Sequence, residues 1–259
     1  MQAGTYLTSI DYATVSIYAF WVFFAALVLY LNRESKREGY PLITPGKPKQ
    51  TLEGGIPGMP EPKYFLLANG TTVQAPRAET EREIAMVPMD RSAGSPMIPT
   101  GDPLVDGVGP AAYVMRGMHP AVLHDDGTPA IVPLRLATDF SLDAHDPDPR
   151  GMNVLDADGV VAGTCVDIWL DKSEMIFRYI EVAVATDMGE RTMLYPVPLI
   201  KVDAERRVVT VRTLLAKHFA KAPVLSYRDS ITLREEDMVS AYCAGGQLYA
   251  KPERSEPCL

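Results

Sequence analysis

Four histidines, three cysteines and a set of acidic clusters are the side chains of this sequence that could do chemistry. His119, His124, His145 and His218 fall at no spacing that would gather them on a metal ion, so no metal site is expected. Cys165, Cys243 and Cys258 are far apart and odd in number, the pattern of reduced thiols rather than of a zinc site or a disulfide framework. No phosphate-cradling glycine loop, Walker lysine, nucleophile elbow or metalloprotease helix occurs, and a hydrolase would need a nucleophile–base pair that is not found. The remaining candidates are carboxylates. Glu174 and Arg178, four residues apart, read as an exposed ion pair worth at most about 1 kcal/mol. His124, Asp125 and Asp126 read as a hydrophilic turn ending at Gly127. Asp146-Pro147-Asp148-Pro149-Arg150 reads as a solvated loop, and Glu235-Glu236-Asp237 as acids that the helix dipole favours in a first turn.

Charge narrows the partners. The chain carries 25 Lys+Arg against 33 Asp+Glu, a net charge of −8. Phosphate contacts need clustered cations, so nucleic acid is excluded as a partner. An acidic surface suits attraction of cations, protons included.

What positions these groups begins with one block. Eighteen of the twenty residues from Tyr12 to Leu31 are hydrophobic, the exceptions being Thr14 and Ser16, and no charge falls between Asp11 and Arg33. Twenty helical residues rise about 30 Å, the thickness of a bilayer's hydrocarbon core. The basic residues Arg33, Lys36 and Arg37 follow at once, whereas nothing basic precedes the block. This predicts an N-terminus (1–11) outside, a transmembrane helix over 12–31 and the rest of the chain in the cytoplasm. A cleaved signal peptide would need a basic start and a shorter apolar core. Arg33, Lys36 and Arg37 form a collar suited to anionic lipid.

Beyond the anchor, residues 41–63 and 76–110 are too rich in Pro and Gly for long regular elements. Segment 32–110 therefore reads as an extended stretch laid over a partner's surface, interrupted by one hairpin, Tyr64 to Leu67 and Thr71 to Val73 about Asn69-Gly70. Residues 111–259 read as a mainly-β domain. Strands are expected at Ile131 to Leu136, with Pro133 on an edge, then at Val160 to Ala162, Thr164 to Leu170, Ile176 to Ala185, Arg191 to Leu199 and Val208 to Val211. Short, evenly spaced strands suggest a small closed or nearly closed antiparallel barrel. Two helices follow, a short one at Thr213 to Phe219 and one begun by the capping box Thr232-Leu233-Arg234-Glu235, which Gly245-Gly246 should end. Leu248 to Ala250 could add a last strand.

Certain strings carry a resemblance: Arg37-Glu38-Gly39-Tyr40-Pro41-Leu42, Pro99-Thr100-Gly101-Asp102-Pro103, Gly107-Val108-Gly109-Pro110-Ala111, Asp148-Pro149-Arg150-Gly151, Val166 to Glu174, Thr232 to Asp237 and Ala244-Gly245-Gly246. Taken in order, they resemble the H subunit of the photosynthetic reaction centre of purple bacteria, from the anchor almost to the C-terminus. The resemblance implies a single transmembrane helix and a cytoplasmic domain built on a PRC-type β-barrel. It implies a subunit that is not an enzyme and binds no pigment itself. Such a subunit caps the L and M subunits, which hold bacteriochlorophyll, bacteriopheophytin, quinones and a non-haem iron. The resemblance further implies a cytochrome subunit and light-harvesting 1 polypeptides as partners within the same complex, in the photosynthetic inner membrane. It also implies proton delivery to the secondary quinone, because an electron placed on a buried quinone is costly unless a proton follows.

By the same resemblance, Asp171 and Glu174, with Arg178 beside them, match acidic positions tied to that delivery. Some members have an aspartate and two histidines where this chain has His124, Asp126 and Thr128. A histidine and an aspartate are thus kept in swapped places, and Thr128 cannot titrate. The alternative is a membrane-anchored PRC-barrel adaptor that docks other cytoplasmic partners; co-purification with near-infrared-absorbing pigment separates the two.

Overall fold

The computed structural model describes residues 11–40, 42–43, 51–52, 55, 58–67, 70–77, 82–92, 94–186 and 189–254. The chain divides into two units, Met1–Glu81 with Met89–Pro96, and Arg82–Pro88 with Met97–Leu259.

The first unit holds helix α1, Tyr12–Glu34. Asp11 caps it, accepting the Ala13 N–H at 3.1 Å and the Thr14 hydroxyl at 3.2 Å. Ser16 donates its hydroxyl to the Tyr12 carbonyl at 2.8 Å. Both polar side chains of the apolar block are thus satisfied within the helix or its cap, as a surrounding without water requires. The helix is long and apolar enough to cross a membrane, and its apolar stretch is not buried by the rest of the chain. A 3₁₀ turn, Ser35–Arg37, follows.

Here the basic collar departs from expectation. Arg33 is exposed, but Lys36 is only 4% exposed. Arg37 donates from Nε and Nη2 to the Glu34 carboxylate, both at 2.9 Å, and from Nη1 to the carbonyls of Glu61 at 2.6 Å and Ala75 at 3.0 Å. The collar is therefore not three equivalent free cations, because its second half is folded against the chain.

Strands β1 (Leu42–Ile43) and β2 (Thr51–Leu52) pair antiparallel. Strands β3 (Lys63–Leu66) and β4 (Thr72–Ala75) form the expected hairpin. Gly70 stands at φ +79° and donates its N–H to the Leu67 carbonyl at 2.9 Å. Asn69 lies outside the described residues, as do Pro41, Pro45, Pro48 and Pro57.

The second unit opens with β5 (Met86–Pro88) and β6 (Met97–Pro99), an antiparallel pair. Helix α2 (Pro103–Asp106) is capped by the Asp102 side chain, and Leu104, Val108 and Ala111 are buried in or beside the core. The compact unit thus reaches back before residue 111.

The main sheet contains β7 (Ile131–Pro133), β8 (Asn153–Leu155), β9 (Val161–Asp171), β10 (Ile176–Thr186), β11 (Gly189–Pro196), β12 (Ile200–Asp203) and β13 (Val208–Val211). The order is β11-β10-β9-β8-β13-β12, with β7 beside β8 on the same flank of β9. All pairs are antiparallel except β8 with β13. The mainly-β reading holds, but among the described residues the sheet does not close. Pro196 and Pro198, which lack donors, turn the chain from β11 into a 3₁₀ turn at Val197–Leu199 before β12.

Three local expectations change. The strand expected over Ile131 to Leu136 stops at Pro133 and continues as a 3₁₀ turn, Leu134–Leu136. The two strands expected at Val160 to Ala162 and Thr164 to Leu170 are one, running through Gly163. A Cβ on Gly163 would strike the Ala183 carbonyl oxygen of β10 and come within 2.9 Å of Val182 Cγ1, so the glycine marks a close backbone approach rather than a break. Gly245-Gly246 does not end the last helix. α4 runs Leu233–Tyr249, so Leu248 and Tyr249 are helical and no final strand forms. A Cβ at Gly245 would lie 2.6 Å from that of Ala111, and one at Gly246 would lie 2.5 Å from the Thr213 carbonyl oxygen. These glycines let the helix pack close to its neighbours. The capping box does form. Thr232 Oγ1 accepts the Glu235 N–H at 3.3 Å, and Glu235 accepts the Thr232 N–H at 2.9 Å. The short helix α3 is Ala216–Phe219. Trp169, Tyr195 and Phe219 are fully buried at the centre of the core.

Candidate functional site

Asp171 is the last residue of β9, paired to Ile176 of β10 on one side and to Ile131 of β7 on the other. It is 3% exposed. Its Oδ1 accepts the Ser173 hydroxyl at 2.5 Å, the Ser173 N–H at 2.9 Å and the Glu174 N–H at 3.2 Å. Its Oδ2 meets Arg178 Nε at 3.0 Å and Nη2 at 2.9 Å. Burial pushes Asp171 toward the neutral form. The hydrogen bonds from Ser173 and Glu174 and the Arg178 guanidinium outweigh it and hold the carboxyl below the usual aspartate range.

Arg178 reaches both acids for a structural reason. Phe177 pairs with Leu170 and Tyr179 with Trp169, so Arg178 is the extra residue of a β-bulge. A bulge re-aims its side chain relative to the strand. Arg178 Nη2 also contacts the Glu174 carboxylate at 2.9 Å, and that side chain is 58% exposed. One guanidinium therefore links a buried acid to a solvent-facing one.

The second predicted cluster lies alongside. Residues 123–128 form a tight turn, with the Leu123 N–H donating to the Thr128 carbonyl at 2.8 Å. Asp126 accepts the Thr128 N–H at 2.9 Å and its hydroxyl at 2.8 Å, and these bonds lower its carboxyl pKa. Thr128 Oγ1 in turn accepts Lys172 Nζ at 3.1 Å, and the Lys172 N–H donates to Ala130 at 2.9 Å. Asp126 is thus linked through Thr128 to the residue adjoining Asp171. His124 is exposed in the same turn, with no hydrogen bond to the others among the described residues.

Glu236 of α4 is a group that sequence reasoning passed over as a helix-dipole acid. Burial raises its carboxyl pKa; Arg116 and Arg178 pull it back, while Asp171 and Asp237 push it further up. Only the folded geometry brings a first-turn acid of α4 into the field of Asp171.

A second arginine-centred cluster lies on the same two strands. Arg135 Nη1 contacts Asp167 at 3.0 Å and Glu181 at 2.7 Å, and Nη2 contacts Asp229 at 3.0 Å. Trp169 Nε1 donates to Glu181 at 3.0 Å. Asp167 and Glu181 side chains are 6% and 9% exposed.

Among the described residues, no group of three His, Cys, Asp or Glu side chains is placed to hold a metal ion. Cys165 and Cys243 are free and buried, and burial pushes the Cys165 thiol up to about 12. Cys258 lies outside the described residues.

Among the described residues, one helix is long and apolar enough to span a membrane, and a mainly-β domain with arginine-bridged acids at a sheet end follows it. Residues 144–216 match the PRC-barrel domain. Residues 4–136 match the N-terminal region of the photosynthetic reaction centre H-chain. That match spans more than half of the sequence, and the chain belongs to the reaction centre H-chain family. The family is a structural subunit of a pigment–quinone complex in photosynthetic membranes, associated with other reaction centre subunits.

Proposed function

We propose that this chain caps the cytoplasmic face of the L and M subunits and conducts protons to the secondary quinone. In this reading the N-terminus faces the periplasm, α1 spans the membrane once, and segment 32–110 lies over the partner subunits. A cytochrome subunit and light-harvesting 1 polypeptides are neighbours in the same assembly. Arg33, exposed at the helix exit, is the member of the collar best able to meet anionic lipid.

The observation that carries the proton reading is the shared guanidinium of Arg178 beside the Lys172–Thr128–Asp126 link. Glu174 faces water and can exchange protons with it, whereas Asp171 is enclosed and held charged. Asp171, held ionised behind Glu174, offsets the Arg178 charge that would otherwise repel a proton there, and so keeps the site open to proton entry. The turn carrying His124 and Asp126 adds an exposed imidazole and an ionised carboxylate near Lys172, where protons can be collected.

The test is flash-induced kinetics of the second, proton-coupled electron transfer in the intact complex. The double variant Asp171→Asn with Glu174→Gln should slow it about tenfold, which is 1.4 kcal/mol in the barrier. Unchanged rates from about pH 6 to pH 9, the range over which histidine and carboxylate relays would respond, would remove both residues from the path.

A further inference from the structure

The hairpin β3–β4 exposes Tyr64 (71%), Phe65 (46%), Leu66 (77%) and Leu67 (43%), four consecutive apolar residues. Successive strand residues point to opposite faces, so both faces of the strand are apolar and uncovered. A lone two-stranded hairpin cannot bury such residues by itself and is marginal in water. Its place in the first unit says what covers it. Lys63 Nζ contacts the Glu34 carboxylate at 2.6 Å, at the end of α1. Ala75, the cross-strand partner of Lys63, receives Arg37 Nη1 at 3.0 Å. Both open ends of the hairpin are therefore fastened to the exit of the helix.

Glu34 lies three residues beyond Leu31, the last apolar residue of the block, or about 4.5 Å along the axis. From Lys63, the run to Leu67 can extend only about 13 Å. The polar layer of a bilayer is about 5–8 Å deep on each side. The four side chains thus lie within reach of that layer. No charge interrupts residues 64–67, and the flanking Lys63 is already paired to Glu34. Tyr and Phe beside Leu suit the boundary between headgroups and acyl chains.

We infer that the β3–β4 hairpin is a second membrane contact, with Tyr64, Phe65, Leu66 and Leu67 seated in the interfacial layer of the lipid surface that α1 crosses. This takes the hairpin, residues 63–75, out of the stretch 32–110 assigned above to the partner subunits, and it rests only on α1 spanning a membrane. The experiment places a tryptophan in the hairpin, Phe65→Trp or Leu66→Trp, in the full chain. Emission added over the parent is then followed in phosphatidylcholine vesicles and in the intact complex within its membrane, with shallow-brominated phosphatidylcholine or acrylamide as quencher. The expected result, in both settings, is blue-shifted emission that is lost to brominated lipid and kept in acrylamide. Emission lost to acrylamide but not to lipid would overturn the inference by placing the hairpin in water. Emission shielded from both in the complex would overturn it by placing the hairpin against protein. Both substitutions are large and apolar at exposed positions, so the fold should be retained.

Discussion

Two arginines do similar electrostatic work on the same pair of strands, to different ends. Arg135 sits among Asp167, Glu181 and Asp229, and the two acids on β9 and β10 are closed off from solvent. Arg178 joins Asp171 to Glu174, and here one acid is enclosed and the other open. The first cluster also has an open member, since the Asp229 side chain is 53% exposed, but it encloses two buried acids and the Trp169 indole donates to Glu181. It fastens the 3₁₀ turn after β7, both long strands and the segment at Asp229. The second closes on itself within residues 171–178, with a single buried acid, and adjoins the 123–128 turn through Lys172. Both arginines thus join a buried acid to an open one, so charge pairing and exposure alone do not mark a relay; the proposed one is told apart by its link through Lys172 and Thr128 to Asp126.

Substitutions can break or sharpen this contrast. The largest effect should come from Arg135→Met, which leaves Asp167 and Glu181 buried without a counter-charge and should cost about 3 kcal/mol of stability, read by denaturant titration. It should not selectively slow the second electron transfer in protein that remains folded. A rate defect as large as that of the Asp171 and Glu174 double variant would erase the distinction between scaffold and relay.

The next effect separates Asp171 by pH. Its folded pKa is depressed, so its unfolded form binds a proton first as pH falls. The stability it contributes is fully present above the ordinary aspartate value and is lost as pH drops below about 4 toward its folded value. Asp171→Asn should flatten this acid limb of the stability curve. A curve that stays parallel to that of the parent would show that its bonds to Ser173, Glu174 and Arg178 are not favouring the charged form.

The smallest effect should come from Thr128→Val, which removes the hydroxyl joining Asp126 to Lys172. Stability should change by about 1 kcal/mol, the net worth of a hydrogen bond. Proton uptake, followed with a pH-indicator dye after flashes, should slow less than in the Asp171 and Glu174 double variant. An equal loss would move the critical step out to the turn at His124.

Much of the architecture was legible in the sequence because it depends on local rules. The apolar block, the hairpin at Tyr64, the strands at Ile176 and Val208 and the capping box at Thr232 each follow from periodicity or capping chemistry within a few residues. What failed depends on distant contacts. Gly163 looked like a strand break and Gly245-Gly246 like a helix end, because glycine's local meaning is flexibility. The structure uses all three for close approach to Ala183, Ala111 and Thr213. β8 and β12 escaped notice because they are short and gain their definition from β9 and β13.

The same division applies to the candidate site. Asp171, Glu174 and Arg178 were named from a string, and the spacing of Glu174 and Arg178 was read as an ordinary surface pair. That Arg178 occupies a bulge, and that the pair becomes a triad through a buried Asp171, needs the register of β9 against β10. The bond from Lys172 to Thr128 spans 44 residues, and no local pattern announces it. Lys36 was grouped with Arg33 by charge alone, whereas the 3₁₀ turn buries it.

Strand β9 is held along one flank by β10 and along the other by β8 near its start and β7 near its end. It cannot peel away from one neighbour while staying with the rest. Asp171, as its terminal residue, inherits that restraint: fraying of a turn or a tail leaves the carboxylate where it is, and only a collective opening of the sheet dislodges it. In the proposed reading, the timing of hydrogen-ion transfer is then set by the mobility of water and of the outer side chains, against an acid that stands still.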